Sequence, residues 1–80
     1  MRLLDCDSNA RLENIIIYLK KNEVTELIGA LENLLSSEEN ASHHHVNDLE
    51  YTHEITVTMY NESNLTDFNQ RSIQLIQQDV

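Results

Sequence analysis

Hydrophobic residues recur along this chain with two different periods, and each period predicts an element. From Asn22 to about Ser37, Val24, Leu27, Ile28, Leu31, Leu34 and Leu35 follow the i, i+3, i+4, i+7 spacing of an amphipathic helix. Asn22 is placed to cap its N-terminus, with Glu23 and Glu26 in the first turn, where the helix dipole favours negative charge. Gly29 falls in mid-helix, where it costs about 1 kcal/mol against Ala; a close approach to a strand would account for it. From Leu49 to Tyr60 the period changes to two. Leu49, Tyr51, His53, Ile55, Val57 and Met59 alternate with Glu50, Thr52, Glu54, Thr56, Thr58 and Tyr60, which predicts a strand with one covered face, His53 included.

Three further segments complete the outline. Leu12–Leu19 is rich in β-branched and aromatic residues and predicts a central strand, with a weaker strand over Arg2–Cys6 joined to it through Asp7-Ser8-Asn9-Ala10. Ser36–Asp48 lacks periodicity and predicts a loop. After a turn at Asn61-Glu62-Ser63, Asn64 is placed to cap a last helix. Its stripe is Leu65, Phe68, Leu75 and Ile76, and an Asp67–Arg71 pair lies on its surface. The fold class expected is α+β: a small two-layer domain in the order (β)-β-α-β-α, with two helices on one face of a two- or three-stranded sheet. The strand–helix–strand order is compatible with a right-handed parallel crossover or with an antiparallel return.

Composition makes this a single domain over residues 1–80 with a thin core. A chain of this length buries only about 60% of its unfolded surface, and there are four aromatic residues and no Trp. A homodimer is one way of covering the remainder. The single cysteine, Cys6, excludes an internal disulfide framework. No apolar run resembles a signal peptide or a membrane span, so a cytoplasmic location without a membrane partner is expected.

Charge sharpens the picture more than composition does. The net charge is −9, and between Asn22 and Gln70 there are ten acids and no Lys or Arg. Phosphate backbones are bound by Lys and Arg, so nucleic acid is an unsuitable partner. A basic protein is a suitable one, with Glu38, Glu39, Asp48, Glu50 and Glu54 the interaction residues expected to meet it.

Candidate chemistry is sparse. His43-His44-His45, Asp48 and His53 include sound ligands for a divalent metal, and His43, His45, Asp48 and His53 are the set such a site would use. The spacing is not that of a zinc motif, because neighbouring residues in an extended chain point to opposite sides. Cys6 lies between Asp5 and Asp7, whose charges disfavour a thiolate, and a single glycine leaves no phosphate-binding loop. The sequence therefore points to a non-catalytic interaction or inhibitor-type regulatory domain that needs no cofactor. The alternatives are a metal-binding domain using His43, His45 and His53, or a self-associating protein using the open face of strand 49–60.

Overall fold

Two β-hairpins and two helices make up the protein in a computed structural model that describes residues 1–80. The elements are β1 (Leu3–Asp5), β2 (Ala10–Leu12), α1 (Lys21–Ser36), β3 (His43–Asn47), β4 (Glu54–Thr58) and α2 (Gln70–Gln78). The α+β class and the expected order hold, with one strand more. Each hairpin is its own antiparallel two-stranded sheet, and no pair of strands is parallel.

The first hairpin closes where turn-forming residues predict it. The Asp5 carboxylate accepts hydrogen bonds from the backbone N–H groups of Asp7 (2.9 Å) and Ser8 (3.4 Å), and Asn9 takes the left-handed conformation at φ 62°. Together with the Ser8 hydroxyl, the largest influence, these donors hold the Asp5 carboxyl below its ordinary range. Pairing runs Leu3↔Leu12, Leu4↔Arg11 and Asp5↔Ala10, and there it stops. Residues 14–20 form no strand, contrary to expectation, and Ile16 and Tyr18 are largely exposed. β-branched residues suit a pleated surface but cannot supply the partner strand that a ladder needs.

Helix α1 forms where its periodicity predicts, but its cap lies two residues before Asn22. Lys20 is the N-cap, and its backbone N–H donates to the Glu23 carboxylate at 2.8 Å. Gly29 has nothing within 4 Å of where a Cβ would stand, so no close approach accounts for it.

The histidine tract belongs to a strand and not to a loop. His43–Asn47 pairs with Glu54–Thr58 in the register His43↔Thr58, His44↔Val57, His45↔Thr56, Val46↔Ile55 and Asn47↔Glu54. Val46 is buried, and α1 packs chiefly on β3. Strand 49–60 is correspondingly shorter than expected. Its first residues make the turn, leaving Leu49, Tyr51 and His53 exposed, with Tyr51 at φ 54°. Within β4 the alternation survives: Ile55 and Val57 are half-buried while Glu54, Thr56 and Thr58 are exposed.

Asn69, and not Asn64, caps α2, accepting from the Ser72 N–H at 2.8 Å. Asn64 instead organises the turn before it through Thr66. Asp67 accepts from the Asn40 side chain (2.9 Å) and Arg71 donates to the carbonyls of Val80 (2.7 Å) and Asn9 (3.1 Å), so the expected pair does not form. Arg2 donates to the Leu75 carbonyl at 2.9 Å, which ties β1 to α2. No helix is long and apolar enough to cross a membrane.

The core is very small. Only Ala30, Leu34, Val46 and Leu75 are buried. The accessible surface is 6417 Å², whereas a folded monomer of 9.3 kDa exposes about 5,000 Å². The radius of gyration agrees: 13.3 Å against about 12 Å for a compact chain of this length.

Candidate functional site

An open groove of about 630 Å³ runs beside the β3–β4 turn. Ile17 and Leu19 from the extended segment, with Val46, Leu49 and Ile55 from the hairpin, give it an apolar floor. Its rim carries Glu23, Asp48 and Glu50, together with His53 and a single cation, Lys20.

Local hydrogen bonding builds the turn that forms one wall. Asp48 N–H donates to the His53 carbonyl (3.2 Å) and Tyr51 N–H to the Asp48 carbonyl (3.1 Å). The Asp48 carboxylate accepts from the Thr52 N–H and hydroxyl, each at 2.8 Å, and bonds His53 Nδ1 at 2.9 Å. The His53 contact first, and then Thr52, hold the Asp48 carboxyl far below the usual carboxylate range.

A second carboxylate–imidazole pair lies along the hairpin. His45 Nδ1 is 2.9 Å from Glu54 Oε1 and 2.8 Å from Thr56 Oγ1, its cross-strand partner. The His43 and His45 rings meet edge to face with centroids 5.2 Å apart. Of the candidate metal ligands, then, His43 and His45 share one face of β3, while His53 pairs with Asp48 at the turn. No three His, Cys, Asp or Glu side chains converge on a point that could hold an ion.

Each pair includes a threonine, but neither is arranged as a nucleophilic relay. A relay needs the acid on one imidazole nitrogen and the hydroxyl on the other. Here carboxylate and hydroxyl meet the same Nδ1, at His45 as at His53. The His53 side chain is 88% exposed, so water competes for every polar contact it makes. These networks shape the hairpin.

The five acids expected to act together are divided. Asp48 and Glu50 stand at the groove, and Glu54 opens β4 on the outer face beside His45. Glu38 and Glu39 lie past the C-terminus of α1, near Met59–Glu62, at the opposite end of β3. Pattern reading missed Lys20 and Glu23 as rim residues and Ile17 and Leu19 as floor. The available signal was the apolar run Ile15–Leu19 lying directly before a helix N-terminus, which places it against whatever that helix covers. No family model, no curated protein and no solved structure matches the chain.

Proposed function

We propose that the protein is a non-catalytic interaction domain that binds a basic segment of a partner protein in the groove beside the β3–β4 turn. The observation that carries this reading is the groove's composition: an apolar floor edged by Glu23, Asp48 and Glu50. A partner segment with alternating apolar and basic side chains satisfies both parts. The apolar contacts supply affinity, while the surrounding negative charge speeds encounter and rejects acidic competitors. The acid-only stretch from Asn22 to Gln70 extends the same field over much of the surface. A cytoplasmic setting suits this role, since a lone exposed Cys6 stays reduced there.

A labelled peptide of alternating Leu and Lys tests the reading by fluorescence anisotropy. Its affinity is expected to fall steeply between about 50 and about 500 mM salt, where the screening length shortens from about 14 Å to about 4 Å. The substitution Glu50→Lys is expected to weaken binding about tenfold, mostly through slower association. Binding indifferent to both salt and Glu50→Lys would refute it.

A further inference from the structure

Helix α1 carries two apolar stripes side by side, and only one is covered. Leu27, Ala30 and Leu34 are half-buried or buried. On the next face, Val24, Ile28, Leu31 and Leu35 are 42, 52, 46 and 80% exposed. Their spacing of four, three and four residues is that of a coiled-coil seam, in which each residue fills a hole on a facing helix. The geometry points to a second copy of this chain as the occupant, with the two α1 helices antiparallel about a twofold axis passing between Ile28 and Leu31.

Area and charge both favour a second copy. The chain exposes about 1,400 Å² more than a monomer of its mass should, and twice that lies within the roughly 2,000–5,000 Å² of obligate homodimers. The antiparallel arrangement that sets Ile28 on Leu31 of the second copy, and Val24 on its Leu35, also brings the N-terminal end of α1, with Lys20 and Lys21, towards the second copy's C-terminal end, where Glu38 and Glu39 follow the cap Ser37. None of these four charged residues has an ion-pair partner within its own chain. A parallel pair would put like charges together at both ends. The surface is therefore self-complementary, as an isologous contact must be, and each contact occurs twice.

Sedimentation equilibrium of the full chain decides it. The wild type is expected to have twice the 9.3 kDa chain mass at micromolar concentration, and Leu31→Glu is expected to raise the dissociation constant about a hundredfold or more. Lys20→Glu/Lys21→Glu touches no apolar residue, so it keeps the test valid even if Leu31→Glu unfolds. It should weaken the dimer, and adding Glu38→Lys/Glu39→Lys should restore it, with circular dichroism unchanged throughout. A wild type that is monomeric at about 100 µM overturns the proposal, as does a dimer indifferent to Leu31→Glu or a charge swap that restores nothing. Glu50→Lys should leave the mass unchanged, which keeps this outcome separate from that of the groove.

Discussion

The outer stripe of α1, with Val24, Ile28, Leu31 and Leu35, is at least as apolar as the inner one, with Leu27, Ala30 and Leu34, yet far less covered. Leu34 is 5% exposed and its neighbour Leu35 is 80% exposed. Leu34 lies on the stripe whose helix rests on β3, while Leu35 meets water in the isolated chain. The apolar character of a helix face thus shows only that something covers it. Whether the cover is the same chain or another is decided by how much sheet the chain can build. This one builds two short hairpins, enough for one stripe of one helix.

The comparison breaks most sharply by truncating each leucine in turn. Leu34→Ala is expected to cost about 2–5 kcal/mol in urea unfolding, a large part of the roughly 4–12 kcal/mol that a chain of this length has in total. Leu35→Ala is expected to leave dilute-solution stability within about 0.5 kcal/mol and to act only where stability depends on protein concentration. Equal losses for the two would erase the distinction between the stripes.

A smaller effect of opposite sign is expected at Gly29, on the polar side of the helix away from the seam. A Cβ there meets nothing within 4 Å, so Gly29→Ala should add up to about 1 kcal/mol and leave the oligomeric state untouched. Thermal melts and sedimentation on the same samples check both halves.

The smallest effect belongs to the groove. Asp48 has a lowered native pKa, chiefly through His53 and then Thr52. Its contribution to the turn is therefore complete above the ordinary value of about 3.9 and is lost as pH falls from there through the native value. Amide shifts of Thr52 and His53 should report this loosening in acid, and Asp48→Asn should abolish its pH dependence. Shifts that move instead with a midpoint near the ordinary carboxylate value of about 4 would show that the turn does not hold this carboxylate.

Much of the fold was legible because it rests on local chemistry. The period of α1, the turn residues of the first hairpin and the in–out alternation of Glu54–Thr58 all emerge from neighbours in sequence. What failed depended on pairing at a distance. Ile15–Ile17 has strand composition but no partner, whereas His43–Asn47 lacks strand composition and gains a partner because Asp48 and Thr52 fold the chain back on itself. The candidate site was half legible: Asp48 and Glu50 do meet at one groove, but Glu38 and Glu39 lie a full strand away. The double stripe was not read from the sequence, although its signal is there: seven apolar positions, Ala30 included, within sixteen residues of helix span a wider arc than one sheet face covers.

The most direct test of the claim that the outer stripe is an interface is the thermal midpoint measured across protein concentration. Coupled folding and association make that midpoint climb with concentration, and the account predicts that it climbs for the wild type and stays flat for Leu31→Glu. A midpoint that is flat for both proteins would contradict it.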